Sequence, residues 1–469
     1  MKSNSETVVY HSKEEVIDKL EKTYGHQFKE YDVNHRLSNP KNKGALGQVV
    51  EEGILGYPVN SRPEADLKNL GIEVKTTGII KNKSGQLRAK ERLTIDSINY
   101  TTIVNKDFEV SPVWEKTEDM LLVFYHFVYG IPYGDMRIIK AVLNTFTDED
   151  KEILKKDYEY IISKINEGKA ETISEGDTMY LGACTAGTGQ LQKQPFSKIK
   201  AKQRKFCIKE SFFTQLIRKY INNQEFEHIT SLDKLKNSTF EIAIESTLAE
   251  FYGMSENDIR QKFLIKDNPN AKSRYERYVS KMLGIKGETN NTDEFLKANM
   301  ILKTIRVQSN NKIEQSMSFP YFEFKDIVNE TWEDSSIRNL LADQKFLLAI
   351  FKEKNGQMVF DHVQFWNMPE TTIDDIGKRV FDEVKRVLLS GNIVREIKKN
   401  KEGKEIRYNN FPGMADNGIM HIRPHGRNAN DVAELPVQDK LTGAKVYTKQ
   451  CFWLNNSYVE SIIGVKKKQ

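Results

Sequence analysis

Cysteine is scarce: Cys184, Cys207 and Cys451 are the three in 469 residues, far apart and without Cys-x-x-Cys spacing. That excludes a disulfide framework and a cysteine-built zinc module, and it fits a reducing cytosol. Long apolar runs are missing too, since no uninterrupted stretch approaches the ~20 residues of a membrane span. The amino terminus, MKSNSETVVYHSKEE, is polar and carries no signal-peptide pattern. Charge of one sign does not dominate. A net charge of +5 neither demands nor excludes nucleic acid, because clustering of cations is what binds phosphate. No segment is poor enough in apolar residues to read as long disorder. The expectation is a cytoplasmic globular chain with no membrane partner, long enough for two or more domains.

The pattern predicts helices over 12–24, with Ser12 as N-cap and Val16, Ile17 and Leu20 as apolar stripe, and over 45–55, 148–167 and 210–221. Strands are predicted over 70–80, 93–104 and the strongly apolar 120–128. The polar stretch 226–237 is the linker candidate, and beyond it the pattern begins again. A shift of 228 residues places Leu20, Tyr24 and Gly25 on Leu248, Tyr252 and Gly253, Leu55-Gly56 on Leu283-Gly284, and Lys75-Thr76 on Lys303-Thr304. With slight drift, Trp114 meets Trp332, LLVFYHF meets FLLAIFK, and RKFCIKESFFTQLI (204–217) meets KQCFWLNNSYVESII (449–463). This predicts a duplicated domain: 1–225, then the linker, then 238–469.

The stretch GIEVKTTGI (71–79) carries the chemistry. Glu73 and Lys75 are two apart on a strand and so share a face, and Asp66 precedes Glu73 by seven residues. If the chain turns between 66 and 73, two carboxylates and an ammonium converge. Such a set can hold Mg²⁺ on the carboxylates, acidify a bound water and steady charge on phosphorus. On its own Asp-x6-Glu-x-Lys is a weak signal, because Glu-x-Lys recurs by chance in a chain that is 29% charged, and a solvated strand edge is the plainer reading.

The surroundings decide more. Lys43, Gly44, Gly47 and Glu51, then Pro63, Glu64 and Asp66, then Leu70, Gly71, Glu73, Lys75 and Thr76 form an ordered pattern across about 35 residues. It resembles the MutH family of GATC-specific DNA endonucleases, and the duplicated layout resembles the two-domain MutH-like restriction enzymes. The resemblance implies two tandem restriction-endonuclease-like domains of mixed α/β (α+β) class, each a central mixed sheet flanked by helices. It makes Asp66 and Glu73 ligands of Mg²⁺, Lys75 the catalytic lysine, Glu51 a helix-borne acid beside them, and Lys116 a phosphate-side helper.

The second copy is an internal control. In the same register Asp66 meets Glu294, Glu73 meets Ile301, Lys75 meets Lys303, Glu51 meets Val279, and Lys43-Gly44 meets Ala271-Lys272. Isoleucine cannot ligate a metal, so a catalytically dead domain is expected. GIMHIRPHGRNAND (418–431) resembles the family's base-contacting stretch through Arg423 and Pro424, with His425 in place of a lysine. Arginine can pair bidentately with guanine, and Arg427, Asn428 and Asn430 add donors, so this loop contacts either base edges or phosphates alone. His421 and His425 at i, i+4 lack a third ligand for zinc. In the first domain the equivalent loop offers Thr185, Thr188, Gln190, Gln192, Lys193 and Gln194, with no order among them. The basic run Lys198, Lys200, Lys202, Arg204 and Lys205 suits backbone phosphates.

The leading expectation is a Mg²⁺-dependent endonuclease acting on double-stranded DNA at GATC. The amino-terminal domain cuts, and the other binds a second DNA copy. One active site per chain implies a monomer when free and a transient homodimer on the palindrome. A mismatch-repair nickase and a non-enzymatic DNA-binding regulator are the alternatives.

Overall fold

The computed structural model describes residues 8–39, 42, 44–59, 65–81, 85–186, 189–266, 268, 271, 273–313 and 315–465. The motif residues Lys43, Pro63 and Glu64, and Thr188, Lys272 and the closing lysines, lie outside them. The chain forms two compact units: residues 1–244 with 287–300, and residues 245–286 with 301–469. The chain therefore passes between units three times. The division expected at 226–237 differs from this partition, and that stretch includes a helix, Leu232–Asn237.

The first unit contains β1 (Glu73–Lys81), β2 (Leu87–Ala89), β3 (Leu93–Ser97), β4 (Asp119–His126), β5 (Arg137–Thr145), β6 (Leu181–Thr185), β7 (Leu191–Gln192), β8 (Ala201–Lys202) and β9 (Arg204–Ile208). A mixed sheet runs β2-β1-β4-β5, a second runs β3-β9-β6, and β7 pairs with β8. β1 and β4 are parallel, whereas β4–β5 is antiparallel. β4 reads MLLVFYH because both of its faces are covered: Met120 through Phe124 are each 0% exposed. Helix Lys13–Glu21 starts at Ser12, whose Oγ accepts the Glu15 N–H, and buries Val16 and Leu20. These pack with Val49, Val50, Leu67, Ile72, Val74, Leu121 and Val123, which joins the helices to the strand carrying Glu73. The strand expected over 93–104 stops at Ser97, where Asn99 turns the chain: its Oδ1 accepts the Thr101 N–H at 3.1 Å. Among the described residues no helix is long and apolar enough to cross a membrane.

In the second unit the strands are β10 (Met300–Val307), β11 (Met317–Phe322), β12 (Lys345–Lys354), β13 (Gln357–Asn367), β14 (Val394–Lys399), β15 (Glu405–Asn409), β16 (Met420–Pro424), β17 (Val432–Glu434), β18 (Val446–Thr448) and β19 (Gln450–Leu454). The order β10-β12-β13 repeats β1-β4-β5, and β11-β19-β16 repeats β3-β9-β6. Matched residues make matched contacts. Gly25 and Gly253 lie at φ +82 and +87, where side chains are disfavoured. Their N–H groups donate at 2.8 Å to Ile138 and to Phe360, on β5 and β13. The hydroxyls of Tyr24 and Tyr252 accept backbone N–H groups of the same two strands, at Ala141 and Val363. The fold is thus mixed α+β, with one topology used twice.

Candidate active site and DNA-facing loops

Residues 66–73 do turn back. Leu67 and Ile72 pair across the turn, with N–H to O distances of 2.9 and 3.3 Å, and Gly71 sits at φ +67. The turn returns Asp66 to the head of β1, where its Oδ2 accepts the Val74 N–H at 3.0 Å. Lys75 Nζ lies 2.5 Å from Glu73 Oε1. In the parallel β1–β4 pair Glu73 stands opposite Met120. Lys116 ends the short helix before β4, and its charge reaches Glu73 and favours the ionised form. Lys116 Nζ is also 3.8 Å from Asp96 Oδ1 on β3, an acid that sequence reasoning did not single out. The period-two pattern of LTIDSI was its one signal. Glu51 rides not on a regular α-helix but on a π-helical segment, Val49–Ile54, that continues the α-turn Ala45–Gln48. Single π-turns frequently accompany functional sites.

These groups act on one another. Burial pushes the Glu73 carboxyl up from the usual range, Lys75 opposes that, and Asp66 adds repulsion. Glu51 is pushed up to about 7, first by burial and then by Asp66, with Lys75 opposing. Glu73 is 5% exposed, and its Oε2 has no hydrogen-bond partner among the described residues. A buried oxygen without a partner is costly unless a cation takes it. Among the described residues no three His, Cys, Asp or Glu side chains form a ready-made chelate. Mg²⁺ does not need one, because it is content with one or two carboxylates and retained water. The donor chemistry of Asp66 and Glu73 therefore fits this ion.

The raised Glu51 group carries a sign. Its folded form holds the proton more tightly than the unfolded chain. Protonation below about 7 thus adds stability to the fold, in full below the ordinary value of 4.5, and that gain is lost as the pH rises through 7. Metal binding runs the other way and favours the ionised acids. For a nuclease that runs on Mg²⁺, as the resemblance implies, the half-saturating Mg²⁺ concentration would fall as the pH rises from about 6 to about 8, and Glu51→Gln would flatten that limb. Initial rates across a Mg²⁺ titration at several pH values check this; an unchanged half-saturation across the range refutes it.

The loops divide unevenly. Arg423, Pro424 and His425 are exposed at the end of β16, and the Arg423 guanidinium lies 5.2 Å from the Trp453 ring centroid. His425 packs edge-on to the same ring at 5.5 Å. Trp453, on β19, is the support that sequence reasoning missed. Arg427 and Asn428 are exposed, and their backbone turn is held by Asp431 and Asn430. His421 is buried and bonded through Nδ1 to Asn455, and among the described residues no third His, Cys, Asp or Glu completes a zinc set with it and His425.

In the first unit Lys193 is exposed and Lys202 half-buried on β8. Arg204 needs correcting as a phosphate contact. It is 2% exposed and donates to the Ala183 carbonyl at 2.8 Å, so its charge serves the β6–β9 sheet. Gln194 is likewise internal, accepting the Ala170 N–H and donating to Glu171 and Ile199. The run is not one strand face: Lys198 and Lys200 are exposed ahead of β8, whereas Arg204 opens β9 and pairs with Thr185 of β6.

The family model for the DNA mismatch repair enzyme MutH matches residues 55–157, which contain Asp66, Glu73, Lys75 and Lys116. The type II restriction enzyme Sau3AI of Staphylococcus aureus is 33% identical over 469 residues, covering 92% of this chain and 94% of that enzyme. The chain belongs to the MutH-like type II restriction endonucleases. As such it is a site-specific deoxyribonuclease, and DNA is its partner. The DNA mismatch repair protein MutH of Vibrio campbellii is 29% identical over 223 residues, which is 96% of that protein but 45% of this chain. That of Shewanella amazonensis is 33% identical over 134 residues, 58% of its length. A MutH-like restriction endonuclease of this size thus carries about twice the chain of its mismatch-repair relatives.

Proposed function

We propose that this endonuclease hydrolyses both strands of DNA at GATC with Mg²⁺, the first unit cutting and the second binding another copy of the site. The observation that carries the reading is the buried, unpartnered Glu73 Oε2 beside Asp66 and Lys75. Asp66 and Glu73 would hold Mg²⁺, which when bound would supply Lewis acidity and lower the pKa of water. Glu73 and Asp66 present negative charge to the ion. Lys75, anchored on Glu73, keeps an ammonium where it can orient the attacking water and meet charge growing on phosphorus. Lys116 adds a second cation close to the same acid. GATC follows from the family pattern around these residues.

The division of labour rests on Ile301 and Val279, which stand where Glu73 and Glu51 stand in the first unit and cannot ligate a metal. The exposed Arg423 loop, backed by Trp453, gives the second unit a surface suited to base edges. With one active site per chain, cutting both strands takes either two chains on the palindrome or two sequential nicks, and a transient homodimer is the route proposed. Plasmids with two GATC sites should be cut several-fold faster than those with one, and equal rates would refute the effector role. Digestion of unmethylated GATC duplex with Mg²⁺ and no added protein, followed by end sequencing, tests the activity itself. Absence of cutting at GATC overturns it.

A further inference from the structure

The geometry points to the second unit's degenerate active site as a metal-free pocket for a backbone phosphate of duplex DNA. The deduction rests on the proposed DNA binding by that unit and comes from comparing the two copies of one strand. In the first unit Lys75 is neutralised by Glu73 at 2.5 Å, so the site presents carboxylate to a cation. In the second, Ile301 replaces that acid and packs against the unit's hydrophobic core, while Val279 replaces Glu51 and is fully buried. Lys303 survives at the position of Lys75. Among the described residues it makes no ion pair, and the one carboxylate whose charge reaches it is Glu276. Burial holds its ammonium below the ordinary lysine range.

Lys303 is not walled in. It lines a cleft of about 150 Å³ with Arg306, Gln308, Gln315, Ser316 and Ser318. Lys303 and Arg306 line it together with neutral donors, and among the described residues Glu276 is the one carboxylate whose charge reaches Lys303. Such a set repels Mg²⁺ but fits an oxygen anion, which would restore the charge balance that Ile301 removed. Loss of the acids at positions 301 and 279, with Glu294 accepting the Ile229 N–H, thus converts a site that reaches phosphate through a metal into one that grips it directly. A phosphate contact positions DNA without reading sequence, which complements the Arg423 loop of the same unit.

The test uses full-length protein carrying Glu73→Ala, in EDTA, with a GATC duplex. Binding of the second duplex equivalent is measured against salt, and acetylation of Lys303 by acetic anhydride is followed by mass spectrometry. Duplex should protect Lys303 several-fold. Lys303→Met and Arg306→Met should each weaken the second binding event about ten-fold and lower its log–log salt slope by roughly one. If Arg423→Ala weakens that event while Lys303 stays unprotected and its substitution leaves the slope unchanged, the phosphate pocket is overturned and DNA binding by the unit stands. If neither substitution changes anything, both are overturned.

Discussion

Glu73→Ala should lower the cleavage rate by about a thousand-fold, roughly 4 kcal/mol of transition-state stabilisation. Glu73 is the most deeply buried of the three acids, and its free oxygen has no other partner among the described residues. Removing it should also raise the Mg²⁺ needed for half-maximal rate. Folding should not suffer, because a buried carboxylate with a raised pKa destabilises the native state near neutrality, and alanine relieves it. DNA binding in EDTA should persist. The measurements are single-turnover cleavage, thermal unfolding without metal, and gel-shift affinity. Retained cleavage would remove Glu73 from the site, and a lower Tm with lost binding would mark the change as structural.

Lys75→Ala should be nearly as severe, between about a hundred- and ten-thousand-fold, but with a different signature. Lys75 is the cation that offsets Glu73 and Glu51, so its loss makes both acids ionise at higher pH and, once they are ionised, leaves the site one positive charge poorer. Metal affinity should hold or tighten while the rate collapses, and the rising limb of the pH profile should move to higher pH. A Mg²⁺ titration of the variant separates the two substitutions. If Lys75→Ala raised the half-saturating Mg²⁺ as Glu73→Ala does, the lysine would be acting through ligand geometry and not on water or phosphate.

Much of the fold was legible because its signals are local. The apolar run at 120–125 is short and rich in strand formers, as a strand covered on both faces requires, and Ser12 ahead of Val16 and Leu20 is a helix start. The repeat was legible because matched glycines and tyrosines hold matched backbone contacts, which constrain residue type at a fixed spacing. Less visible were Asp96 beside Lys116 and Trp453 beneath Arg423, since both meet their partners across strands distant in sequence. Arg204 misled for the same reason. Its neighbours in the run are lysines, but the sheet turns its side chain toward the Ala183 carbonyl.

By itself the sequence determined that Asp66, Glu73 and Lys75 occur in the spacing of a nuclease and that a second copy lacks the key acid. Only the tertiary structure decided that Gly71 turns Asp66 onto β1 and that burial lifts Glu51 to about 7. It also decided that Lys303 lines an open cleft, with Glu276 the one described carboxylate whose charge reaches it. Spacing limits which residues can meet, whereas charge balance and desolvation depend on everything else that packs around them.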